Sequence, residues 1–127
     1  MARKKFTLEY IIRSSPAILF EFCTNTSSLA QWFSEYADSN GDTYTFGWTG
    51  GSYEKAELQD WVDEERVRYH WVNAPKNEYF QFRIYKSEIS FETVLEVTDF
   101  CDEKELKDQT FLWDNQIEAL KHAIGAY

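Results

Sequence analysis

The stretch DEKELKDQTFLWDNQIEALKHAIG, residues 102–125, decides the fold. Within it Leu106, Thr110, Trp113, Ile117, Leu120 and Ile124 recur at three- and four-residue steps, which puts them on one face of a helix. Both ends carry helix punctuation. Asp102 can accept from the first backbone amides, Glu105 three residues later completes a variant capping box, and Cys101 is set to staple against Leu106. Lys121 and His122 bring positive character to the last turn, and Gly125 supplies a stop. Such a helix has one long apolar stripe and needs an apolar surface to lie on.

The residues upstream supply that surface as strands. Phe6, Leu8, Tyr10 and Ile12 alternate with Lys5, Thr7, Glu9 and Ile11, the period of a strand with one buried face. Ser15-Pro16 predicts a capped start to a short helix over Ala17 to Cys23, and Asn25 or Thr26 caps a second one running through Leu29 towards Trp32. From Phe33 onward, turn signals separate short aromatic runs in the manner of an antiparallel meander. Asn40-Gly41 and Gly50-Gly51 mark turns on either side of Tyr44, Phe46 and Trp48. Ser52, Glu54, Ala56 and Leu58 share a face of the next strand, then Val67, Tyr69 and Trp71, then Phe80, Phe82 and Ile84. Alternation leaves His70 on the outer side. After a turn near Lys86-Ser87-Glu88, Phe91, Thr93, Leu95 and Val97 form the inner face of a returning strand. The order reads as an α+β fold, with two short helices near the start and one long C-terminal helix across a curved antiparallel sheet. It is expected to form one domain over residues 1–127.

Composition excludes several classes of function. The chain has 13 Lys and Arg against 22 Asp and Glu, net −9, so it lacks the basic field that a phosphate backbone or an anionic membrane requires. No apolar run approaches the length of about 20 residues that spans a bilayer. The basic start Met1-Ala2-Arg3-Lys4-Lys5 is followed by Phe6-Thr7-Leu8-Glu9-Tyr10 where a signal peptide needs an uninterrupted apolar stretch, so a cytoplasmic location is expected. Cys23 and Cys101 lie far apart without zinc-ligand company and read as buried reduced thiols, and the sequon Asn25-Thr26-Ser27 then has no glycosylation to receive. A nucleophile elbow, a Walker loop and a HExxH helix are all missing from the sequence. With only His70 and His122, both on expected solvent faces, neither a metal nor another cofactor is expected.

Aromatic residues are abundant instead: 10 Phe, 8 Tyr and 5 Trp. Phe46, Trp48, Tyr69, Trp71, Phe82, Phe91 and Trp113, with Ile117 on the helix stripe, are the candidate lining of a ligand pocket, and the same rings could equally fill a dry core. Glu54 shares their face and is the one carboxylate with a route into the groove, unless a bulge or an open strand end turns it outward.

Ser14-Ser15-Pro16 followed by Leu29-Ala30-Gln31-Trp32-Phe33, and the later Thr98-Asp99-Phe100, Leu112-Trp113-Asp114 and Leu120-Lys121, resemble the START-like (SRPBCC, helix-grip) superfamily over nearly the whole chain. They are most similar to the small bacterial proteins near its Hsp90-ATPase-activator-like branch. The resemblance implies a helix-grip fold that holds lipids, sterols or polyketides between sheet and helix, with cyclases and co-chaperone domains among its members. It carries no agreed catalytic residues. Three functions stay open: noncatalytic binding of a small hydrophobic or aromatic ligand, a protein-interaction domain or homodimer without ligand, and a cyclase- or hydrolase-type enzyme using Glu54 with a tyrosine such as Tyr69.

Overall fold

The computed structural model describes residues 2–126; Met1 and Tyr127, the outer ends of the expected domain, lie outside the described residues. The elements run β1 (Arg3–Ile12), α1 (Pro16–Thr24), α2 (Thr26–Leu29), β2 (Tyr36–Asn40), β3 (Thr43–Trp48), β4 (Ser52–Val62), β5 (Arg66–Trp71), β6 (Phe80–Lys86), β7 (Thr93–Asp102) and α3 (Leu106–Ile124). The seven strands form one sheet in the order β1-β7-β6-β5-β4-β3-β2, antiparallel throughout. This is the α+β arrangement that the alternating strands and the striped helix require.

Local chemistry sets the boundaries. The Ser15 hydroxyl accepts from the Ile18 amide at 3.2 Å, and Pro16 opens α1 where its missing N–H is harmless. Asn25 ends α1 through its own amide and begins α2 through its side chain, which accepts from the Ser27 and Ser28 amides. Asp102 caps a 3-10 turn, Glu103–Glu105, by accepting from the Lys104 amide at 3.3 Å, so α3 itself begins one turn later than the capping-box reading expects. Glu105 precedes α3 without a side-chain cap bond. At the far end Gly125 adopts φ +81°, and its amide and that of Ala126 return to the Lys121 carbonyl, which only a residue at ease in the left-handed region closes without strain.

Register puts Phe46, Ala56, Tyr69, Phe80, Phe82, Leu95 and Val97 on one face of the sheet, all of them buried. Trp113, Ile117 and Leu120 of α3 are buried with them, while Leu106 and Ile124 pack at the edges of the same core. Two irregularities depart from strict alternation. The β4–β5 register shifts between Leu58 and Asp60, so a bulge at Gln59 turns Trp61 to the inner side, where its ring meets Phe20 edge-on at 5.3 Å. At the β6–β7 turn the Phe91 amide bonds back to the Ser87 carbonyl and Phe91 takes φ +62°. Phe91 is thus a turn residue, 75% exposed, and not part of the inner face, which starts at Thr93. Among the described residues no helix is long and apolar enough to cross a membrane.

Candidate functional site

Between the sheet and α3 lies a cavity of about 420 Å³. Its walls are Trp48 of β3, Glu54 of β4, Trp71 of β5, Phe80 of β6 and Asp99 of β7, with Phe33 below and Gln109, Leu112, Trp113 and Gln116 of α3 above. A roomier hollow of about 510 Å³ beside α1, between Phe20, Trp61 and the acidic turn at Asp63 and Glu64, is broadly open to water and only sparsely aromatic. The groove under α3 has the apolar walls and few polar handles that hold small ligands.

Phe33 makes the floor. It leaves the short turn after α2 and is only 5% exposed, with its ring 4.9 Å from Phe46, 5.5 Å from Phe80, 6.1 Å from Trp113 and 6.3 Å from Trp71. The side chains beneath it are buried. Phe46, Tyr69, Phe82 and Ile117 all lie in that lower layer as core residues, so of the expected lining only Trp48, Glu54, Trp71 and Trp113 face the cavity. Phe91 lies outside the groove, because its left-handed turn conformation sends the ring to solvent.

Three polar latches hold α3 over the cavity. The Trp113 indole N–H donates to Asp99 Oδ2 at 2.9 Å, the Gln116 amide donates to the Phe33 carbonyl at 3.2 Å, and the Tyr10 hydroxyl donates to Asp114 at 2.7 Å. Asp99 Oδ1 also accepts from the Phe100 amide at 2.8 Å. Burial pushes the Asp99 carboxyl above the usual carboxylate range, against the pull of these two donors.

Glu54 pairs with Phe46 in register and therefore points to the inner side, as the alternation predicts, yet it is exposed at the cavity rim. Tyr69 does not join it. That side chain is fully buried, its hydroxyl donates to the Cys23 carbonyl at 2.8 Å, and burial drives its acidity well below that of an ordinary phenol. The Tyr44 hydroxyl likewise donates to the Thr24 carbonyl at 3.1 Å, so both tyrosines satisfy carbonyls in the last turn of α1. Tyr69 is absent from the cavity lining, so the expected acid–base pair of Glu54 and Tyr69 does not meet there. His70 keeps to the outer side, where its Nδ1–H donates to the Glu78 carbonyl at 2.7 Å. Cys23 and Cys101 are buried free thiols.

The alternation of strand residues could have found Asp99, since Leu95, Val97 and Asp99 fall on one face of β7. Phe33 had no such signal, because it sits in an irregular turn between two elements.

A model of the START-like superfamily domain matches residues 1–126. The chain belongs to that superfamily. Several solved structures share this START-like fold. A Bacteroides fragilis protein solved by NMR is 28% identical, with a TM-score of 0.70 over 100% of this chain and 94% of its own. The Aha1 dimer from Colwellia psychrerythraea matches at 17% identity and a TM-score of 0.79, covering 95% of this chain and 96% of that one. A Mesorhizobium loti protein matches at 14% identity and a TM-score of 0.79, covering 96% and 97%. The last two likenesses are of fold alone. No curated protein sequence matches the chain significantly.

Proposed function

We propose that this START-like chain is a noncatalytic binding module, one domain over residues 1–127, that holds a small apolar or aromatic ligand in the cavity between sheet and α3. The observation that carries the reading is the 420 Å³ groove, whose size lies within the range of about 300–1,000 Å³ usual for ligand pockets. Its walls combine four aromatic side chains and Trp113 overhead with a few polar groups at the edges. Phe46, Tyr69, Phe82 and Ile117 are buried in the core apart from the cavity lining, so the core is built from other side chains than those that face the hollow.

Native mass spectrometry of the purified protein, with titration of the uncharged dye N-phenyl-naphthylamine, tests this. The expected result is a retained small molecule or a rise in dye fluorescence that Leu112→Arg abolishes, since Leu112 is half-exposed at the cavity mouth and tolerates a large polar side chain. A folded protein with no retained mass and no dye response refutes it.

A place near the Hsp90-activator-like branch and a cytoplasmic location are parts of the same proposal. They are supported by the order of the motifs quoted above, by the fold likeness to the Aha1 dimer, and by two unbridged buried thiols. Self-association is tested by light scattering after size exclusion; a concentration-independent monomer removes it.

A further inference from the structure

The chemistry of the cavity wall narrows the class of ligand, on the footing that the cavity is a binding site. Its lining holds two carboxylates, Asp99 and Glu54, two carboxamides, Gln109 and Gln116, and no Lys, Arg or His. The neighbouring crevice of about 240 Å³ shares Trp71, Asp99 and Gln109 with it and adds Arg3, Glu78 and Glu105. Arg3 is already engaged there, since its guanidinium donates to both oxygens of Glu78 at 2.6 and 2.8 Å. Negative charge therefore dominates both hollows.

Asp99 is the acceptor at the inner end. Each oxygen takes one hydrogen bond, from Trp113 and from Phe100, and among the described ion pairs none involves Asp99. Arg3, whose charge acts on Asp99, is committed to Glu78, whose charge opposes it, so a carboxylate withdrawn from water here gains from a positive group brought in by a ligand. Aromatic faces stand beside it. Trp48 and Trp71 have ring centroids 6.2 Å apart and planes tilted by 51°, and both rings are only half-buried, so they form an open corner on the cavity. Trp is the best aromatic partner for a cation, and quaternary ammonium groups are recognised by such assemblies. An anionic ligand would meet two carboxylates instead. A neutral one would further dehydrate Asp99 without compensating its charge.

We propose that the cavity takes an organic cation, with its ammonium group between Asp99 and the Trp48–Trp71 corner and its apolar body along Phe33, Phe80 and Leu112. Glu54 at the rim adds a second, more solvated attraction for the incoming charge.

The test uses the full chain near neutral pH and three probes: benzyltrimethylammonium, its uncharged carbon isostere neopentylbenzene, and the anion tert-butylbenzoate. Binding is followed by the indole N–H signals in NMR. The ammonium probe is expected to bind at least about tenfold more tightly than the isostere, a difference of about 1.4 kcal/mol, and the anion most weakly. Asp99→Asn should remove roughly that tenfold preference of the ammonium probe over neopentylbenzene, read as the ratio of the two affinities in the variant. Glu54→Gln, at an exposed position, should lower the preference for the ammonium probe by about two- to threefold.

If neopentylbenzene binds as tightly as the ammonium, or if both variants weaken both probes equally, the cation proposal is overturned and the binding module stands. If no probe moves the indole signals of folded protein, both fall. Should Asp99→Asn fold poorly, the ranking of the three probes and Glu54→Gln decide the matter.

Discussion

Replacing Phe33 by alanine removes the floor of the cavity, and the size of the effect follows from its surroundings. An aromatic side chain of this kind, 5% exposed, withdraws at least about 150 Å² from water, worth about 4 kcal/mol at about 25 cal/mol/Å². Alanine retains the β-carbon, which returns about 1 kcal/mol. The lost edge contact with Phe46 and stacking contact with Phe80 together add back about 1 kcal/mol, taking each at the low end of the roughly 0.5–1.5 kcal/mol such pairs contribute. Water entering from the cavity above stops the total from rising further. Phe33→Ala should therefore destabilise by about 3–4 kcal/mol, and Phe33→Leu, which keeps most of the volume, by about 1–1.5 kcal/mol. Urea denaturation followed by tryptophan fluorescence reads both. A cost below about 1 kcal/mol for the alanine variant would refute the view that this ring separates a filled core from an open groove.

Three smaller perturbations test other parts of the structure. Gly125→Ala meets no steric obstacle but must hold φ +81°, so it should cost about 1 kcal/mol and lower the melting temperature by about 3–5 °C in calorimetry. Phe91→Gly relieves a left-handed residue whose ring is mostly in water and should stabilise by about 0.5–1 kcal/mol; a destabilised variant would mean the ring makes contacts that its exposure conceals. The bidentate bond from Arg3 holds the Glu78 carboxyl below the usual carboxylate range, so the folded chain binds that proton less readily than the unfolded one. Its stabilisation is fully present above the unfolded value of about 4.3 and is lost as pH falls through the folded value. Arg3→Ala should accordingly flatten the acid limb of a stability–pH curve while changing the slope little near neutrality; an unchanged acid limb would show the pair to be inert.

How far the residues could be read in advance depended on periodicity. The stripe through Trp113, Ile117 and Leu120 and the alternation through Tyr69 and Phe82 each repeat at the spacing of their element, so the helix, the strands and the buried faces were legible. The departures came where periodicity breaks. Alternation carried past Thr93 put Phe91 inside, because nothing in the residues 87–92 distinguishes a strand continuing from a turn with a left-handed phenylalanine. The bulge at Gln59 moved Trp61 inward for the same reason. Depth was the other limit. Phe46 and Trp48 share one face of the sheet, yet Phe46 is fully buried and Trp48 lines the cavity, and the Phe33 ring that meets both reaches them from an irregular turn. Asp99 had the right parity, but its engagement with Trp113 depends on how α3 lies across β7.

The pairing of β1 with β7 bears on how the chain acquires its structure. Arg3 stands opposite Asp102 and Ile12 opposite Thr93, so the strand made first has its only neighbour among those made last. Contacts of such large sequence separation are formed against a loop-closure penalty and favour slow folding, in the millisecond-to-second regime typical of sheet-rich chains. During synthesis β1 must wait, unpaired, until β7 leaves the ribosome. Its Lys4, Lys5 and Glu9 then keep a waiting edge charged, which discourages pairing with another nascent chain.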